Sequence, residues 1–183
     1  MINRLLFVIL ISTAVLLSSN VFSAEPLKSS ELDTIEPEEY EIFNAVLDKY
    51  HALVSLEKTT MSEKKLDNAD VTHLKRLSVH VDAYLTGDFN KKNSRSYELE
   101  KRFFKKRYFM DESYQSFPGS GKESVGISRV GFNKEKDRAL IFVRYKSITP
   151  PEAFYEEGNF VYLEKKEGKW VAIKTVMASQ RYY

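Results

Sequence analysis

The sequence predicts an α+β fold: N-terminal helices packed on a curved antiparallel sheet formed mainly by the C-terminal third of the chain. Three observations lead there. Apolar residues recur at spacings of three and four in two stretches between 37 and 85. From Gly126 to Ala178 they alternate with a period of two. A Lys-Glu-Gly-Lys turn at 166–169 joins two alternating runs, and the single tryptophan, Trp170, follows it.

The chain of 183 residues opens like a secretory signal. Arg4 supplies the positive region, and Leu5 to Leu17 is an apolar run broken only by Ser12 and Thr13. That run is shorter than the ~20 residues of a comfortable membrane span. Val21-Phe22-Ser23 offers the cleavage site, so the expected organisation is a signal peptide at 1–23, a flexible segment at 24–36 and one α+β domain at 37–183. The expected location is periplasmic or extracellular, with no stable membrane insertion after cleavage. The absence of cysteine excludes disulfide staples, thiol catalysis, cysteine–zinc sites and lipid attachment through a cysteine. Removing Arg4 from 28 basic residues leaves 27 against 26 acids, a near-neutral mature chain. Residues 25–66 hold ten acids and five bases, whereas 114–183 hold eight acids and twelve bases.

Pro37 suits a first helical position, and Glu38, Glu39 and Glu41 suit the positive end of the helix dipole. Tyr40, Phe43, Val46, Leu47 and Tyr50 then form the apolar stripe of a helix over 37–50. Leu53 to Met61 alternates loosely and predicts a strand. Val71, Leu74, Leu77, Val81, Tyr84 and Leu85 predict one further helix over 70–85, capped by Asn68 or Asp70 and ended by Gly87. Asp88 to Tyr97 reads as a polar connection, and Pro118-Gly119-Ser120-Gly121 as a loop into the sheet.

In the sheet, Val130 and Phe132 share one face of a strand at 127–133, with Arg129, Gly131 and Asn133 expected on a solvated face. A polar turn, 134–137, leads to 138–146. There Ala139, Ile141, Val143 and Tyr145 oppose Leu140 and Phe142, a pattern that places this strand centrally, covered on both sides. Pro150-Pro151 stops it. The hairpin 160–178 follows, with Gly168 at positive φ; Trp170, Ala172 and Val176 are expected on one face, interrupted by Lys174, and Val171, Ile173 and Met177 on the other.

Lys101, Arg102, Lys105, Lys106 and Arg107 are interleaved with Phe103, Phe104, Tyr108 and Phe109. Cations among rings suit a single-stranded nucleic acid or another anionic surface. An exported chain of balanced charge rarely meets nucleic acid, so the expectation is rings in the core, cations on a solvated face and no nucleic-acid partner. The five cations remain the candidate patch for an anionic partner. His51, His73 and His80 lack the one-turn spacing of helical metal pairs, and no G-x-S-x-G, glycine-rich phosphate loop or H-E-x-x-H is present. No catalytic, cofactor or metal residues are therefore assigned. The expected role is a non-enzymatic exported domain that binds a protein, peptide or envelope component. The alternatives are a small-ligand or enzymatic pocket of the conical-sheet type, and an inhibitor or immunity protein.

Ser128-Arg129-Val130-Gly131-Phe132-Asn133 before Ala139-Leu140 is similar to a pattern in uncharacterised secreted bacterial proteins, as is Gly158-Asn159-Phe160-Val161-Tyr162-Leu163-Glu164-Lys165-Lys166 closed by Gly168-Lys169-Trp170. Asp88-Phe89-Asn90-Lys91-Lys92-Asn93 with Leu99 looks like an upstream element of the same group. The helix-then-sheet order also resembles the nuclear transport factor two-like (cystatin-like) α+β superfamily. That resemblance implies a bent antiparallel sheet wrapped around a helix, with a conical pocket. It carries no reaction, because the superfamily hosts enzymes, binding modules and accessory domains alike. The acid/base dyads of its enzymes have no match here, and 86–98 and 147–158 depart from its simplest form.

Overall fold

A computed structural model describes residues 34–49, 55–105, 109–110, 122–149 and 153–183. Residues 1–33, 50–54, 106–108, 111–121 and 150–152 lie outside them, and with them the expected signal and flexible segment to residue 33, Tyr50 of the first helical stripe, the start of the strand expected from Leu53, His51, Lys106, Arg107, Tyr108, and the expected loop at Pro118-Gly119-Ser120-Gly121.

The described elements are α1 (Pro37–Leu47), β1 (Ser55–Leu56), α2 (Asn68–Arg76), α3 (Ala83–Lys92), a 3-10 turn at Lys101–Phe103, β2 (Phe109–Met110), β3 (Lys122–Ile127), β4 (Gly131–Phe132), β5 (Arg138–Thr149), β6 (Ala153–Lys166) and β7 (Lys169–Tyr182). One mixed sheet runs β2-β1-β3-β5-β6-β7, and β4 pairs with β5 beyond the end of β3. β1 is parallel to β2 and β3, and the other pairings are antiparallel. The α+β class and the C-terminal sheet stand as expected.

Two cores sandwich the sheet. On one face, Phe43, Val46 and Leu47 of α1 meet Val125, Ile127, Ile141, Val143, Val161 and Leu163. On the other, Leu74 of α2 and Leu85 and Phe89 of α3 meet Leu140, Phe142, Phe160 and Val176. β5 contributes to both, as its doubly apolar centre requires.

The predicted second helix is two helices. Asp67 caps α2 by accepting from the Asp70 backbone N–H at 2.8 Å, and Asp82 caps α3 by accepting from Leu85 at 2.8 Å. Between them Ser78 turns at φ 60°, and Val79 and Val81 are buried in the connection. Gly87 lies inside α3 rather than ending a helix, and the polar stretch from Asp88 continues α3 to Lys92.

The closing hairpin forms at 166–169. Gly168 has φ 76°, and Glu167 shares the left-handed region at φ 50°, the signature of a two-residue turn whose twist matches its strands. β7 does not keep simple alternation, however. Its register against β6 slips between Tyr162 and Leu163 and again between Gly158 and Asn159, leaving Ile173 and Ala178 as extra residues. Trp170 and Ala172 therefore join the α1 side while Val176 joins the α2–α3 side, which corrects the expectation that the three share a face.

Candidate functional site

The regular pairing of the sheet is interrupted at 128–130. β3 ends at Ile127 opposite Val143, and β4 resumes at Gly131 opposite Leu140. Ser128 bridges the gap, donating from its backbone N–H to the Phe142 carbonyl and accepting the Phe142 N–H on Oγ, both at 2.9 Å. Arg129 is thereby turned inward and is 0% exposed, which corrects its expected place on a solvated face.

A buried guanidinium needs a counter-charge and acceptors. Glu39 of α1, also 0% exposed, provides both. Arg129 donates from Nε to Glu39 Oε2 at 3.2 Å and from a terminal nitrogen to Oε1, and it also reaches the Thr34 carbonyl at 3.0 Å. Glu39 Oε2 further accepts the Val130 N–H at 2.9 Å. The Tyr97 ring lies 4.5 Å from the guanidinium carbon. Asn93, at the C-terminal cap of α3, fixes the backbone, accepting from Arg129 N at 2.7 Å and donating to its carbonyl at 3.0 Å.

Beside this pair, Lys92 Nζ lies 2.9 Å from Glu36, 3.4 Å from Asp88 and 3.8 Å from Glu39, against the face of Phe132. Lys136 binds Glu36 from the turn at 2.7 Å. Burial raises the Glu36 pKa, but hydrogen bonds and charge from Lys136 and Lys92 outweigh it and lower the carboxyl from an ordinary 4.5 to about 2. The cluster joins α1, α3 and the β3–β4 break, and its charges answer one another internally. Among the described residues no group of three His, Asp or Glu side chains is placed to hold a metal ion.

The basic aromatic run lies at the other side of α1. Asn44 clamps it, donating to the Phe103 carbonyl at 2.9 Å and accepting from Lys105 N at 2.7 Å. Phe104 is buried, whereas Phe103 lies at the surface with its ring 4.6 Å from Tyr40. Of the five candidate cations, Arg102 pairs with Glu100 at 2.8 Å and covers the Phe103 ring, Lys101 borders a cleft, and the Lys105 side chain is exposed. Lys106 and Arg107 lie outside the described residues. The cleft, of about 690 Å3, is open and is lined by Tyr40, Lys58, Tyr97, Glu98, Glu100 and Lys101 among others. Two cations face two carboxylates there, so its charge selects neither sign of ligand. His73 and His80 are exposed on α2 and in the α2–α3 connection.

A third feature was not assigned from the sequence. Among the described residues, β7 has a strand neighbour on one side only. Of the eight large apolar side chains left exposed among the described residues, five belong to its length and the residue after it: Val171, Ile173, Met177, Tyr182 and Tyr183. Beyond the helices, Tyr145, Tyr155 and Tyr182 form a row across β5, β6 and β7, with ring centres 6.2 and 5.1 Å apart. Burial first, and then the hydrogen bond that its hydroxyl donates to the Glu123 carboxylate, push the Tyr145 hydroxyl up to about 12. The row offers rings and hydroxyls together.

No family model, curated protein or solved structure matches this chain.

Proposed function

We propose that the protein is an exported, non-enzymatic domain that binds a protein, peptide or envelope component on its outer surface. One observation carries this reading: α1 fills one face of the sheet and α2 and α3 fill the other, so the space a conical-pocket protein keeps for a ligand is taken by the chain's own side chains. The inward-facing charges are likewise paired with each other rather than aimed at a cavity. Exposed apolar area gathers instead along β7, and an exposed apolar strip on a folded domain is a common mark of contact with another macromolecule. Export is supported by Arg4, the short apolar run and Val21-Phe22-Ser23.

The test combines location with binding. Protein recovered from the envelope or medium is expected to begin at Ala24 or Glu25. It is expected to bind one class among immobilised peptides, wall fragments and envelope proteins in a saturable way. An intact Met1 on cytosolic protein would overturn the export half. Turnover of a small substrate, abolished by changing Tyr97 or Lys58 in the cleft, would overturn the binding half in favour of a pocket enzyme.

A further inference from the structure

We infer that β7 is a docking edge for an extended partner segment carrying acidic residues on one face and apolar residues on the other, added as a further antiparallel strand. The inference rests on the binding role proposed above and names the surface and the chemistry of the partner.

An edge strand presents unpaired backbone donors and acceptors along its open side. β7 is 14 residues long and contains no proline, so no backbone donor is missing from that edge. Residues 169–183 hold three cations, Lys169, Lys174 and Arg181, and no acid. Pairing with β6 shows how those cations are arranged. Residues directly opposite share a face of a sheet. Lys169 faces Lys166, Lys174 faces Tyr162 and Arg181 faces Glu156, all even positions of one regular strand. The three cations therefore lie on one face, the side covered by α2 and α3. The opposite face of β7 carries Trp170, Ala172, Thr175, Met177, Gln180 and Tyr182.

A strand on the open side thus meets a basic face and an apolar, aromatic face. In the register by which β6 absorbs the two extra residues, the positions opposite the three cations are 156, 162 and 166, so the acids of an antiparallel partner stand six and then four residues apart along its chain. A second copy of the chain fits poorly. Antiparallel self-pairing centred on Thr175 sets Lys169 opposite Arg181, a like-charge cross-strand pair. Charge complementarity selects an acidic segment of another protein.

The probe is a synthetic extended peptide with three glutamates spaced by six and then four residues and Val, Thr and Tyr on its other face. Its control carries lysines in place of the glutamates. Binding to the full chain is read by Trp170 emission and by hydrogen exchange of the β7 amides. The glutamate peptide is expected to bind about tenfold or more tightly than the lysine peptide, with slowed exchange along 169–182 and weaker binding at high salt. The double variant Lys169→Glu with Arg181→Glu changes two exposed side chains and is expected to reverse the preference. Lys174 is left in place because it donates to the Leu77 carbonyl. Equal binding of the two peptides, no binding of either, or binding without protection of β7 would overturn the inference. So would a concentration-dependent dimer that buries β7, or salt-sensitive binding to anionic vesicles with no preference between the peptides. If the double variant still binds the envelope component held by the unaltered protein, the broader binding role survives and only the edge assignment falls.

Discussion

Replacing Glu39 by Gln tests the buried charge cluster at its centre. The change keeps the side chain's shape but removes the carboxylate from a guanidinium that has no exposure to water. Breaking such a pair from one side costs about 3–5 kcal/mol, because the remaining charge stays buried without compensation. The Gln amide nitrogen also cannot accept, so one of the Arg129 and Val130 donors that Glu39 serves is weakened. Arg129→Met is expected to cost less, about 1–3 kcal/mol, since Glu39 then keeps Lys92 at 3.8 Å and the Val130 N–H. Arg102→Gln at the exposed Glu100 pair is the control, expected within about 1 kcal/mol of the unaltered protein. Against a total stability of about 5–15 kcal/mol, the ordering Glu39→Gln, Arg129→Met, Arg102→Gln is measurable by urea unfolding followed through Trp170 emission. If Glu39→Gln lies as close to the unaltered protein as Arg102→Gln does, Arg129 reaches water and the packing of the 128–130 segment is wrong.

Gly131→Ala is expected to destabilise by about 1–3 kcal/mol, since an added Cβ would stand 2.5 Å from Phe89 Cβ and 2.8 Å from its Cα; an unchanged melting temperature would refute that approach of α3 to β4. Gly168→Val is expected to cost more than the ~1 kcal/mol of an ordinary point change through its φ of 76° alone, because nothing lies within 4 Å of the new Cβ; unfolding midpoints measure it. Deleting Ile173 removes one of the two extra residues of β7 and leaves every later side chain on its present face, so the variant is expected to fold with unchanged Trp170 emission; loss of the fold would mean that Ile173 is an ordinary strand position. Because the folded Glu36 carboxyl is held at about 2 against an ordinary 4.5, its contribution is present above pH 4.5 and is lost as pH falls through 2; acid titration of Glu36→Gln is expected to lack that part of the acid limb.

Local chemistry made some elements legible. The apolar stripe from Tyr40 to Leu47 does lie buried, because Pro37 and three acids define where α1 starts and hence which face turns inward. β5 was readable as central because both of its faces are apolar. Gly168 announced the hairpin because two-residue turns require positive φ. The region 70–85 misled for a physical reason. Val81 continues the helical spacing, yet it and Val79 are buried from a non-helical connection, and burial alone cannot report backbone conformation. The available signal was Asp82, an N-cap residue in the middle of the supposed helix.

Arg129 and β7 escaped for one shared reason: each sits at a break in strand register, where a period of two assigns every later residue to the wrong face. The warnings in the sequence were a lone arginine in an apolar run bounded by Gly126 and Gly131, and Lys174 interrupting an otherwise apolar face. The two breaks have opposite consequences for charge. The one at 128–130 swings a cation into the core, where Glu39 answers it and α1 is pinned across the sheet to α3 through Lys92 and Asn93. Unbroken alternation in β7 would set Lys174 on the face of Trp170, opposite to Lys169 and Arg181. The extra residue Ile173 moves Lys174 across to join Lys169, and Ala178 does the same for the relation between Lys174 and Arg181. Irregularity therefore gives this sheet an inside that satisfies its own charges and an edge whose cations all face one way.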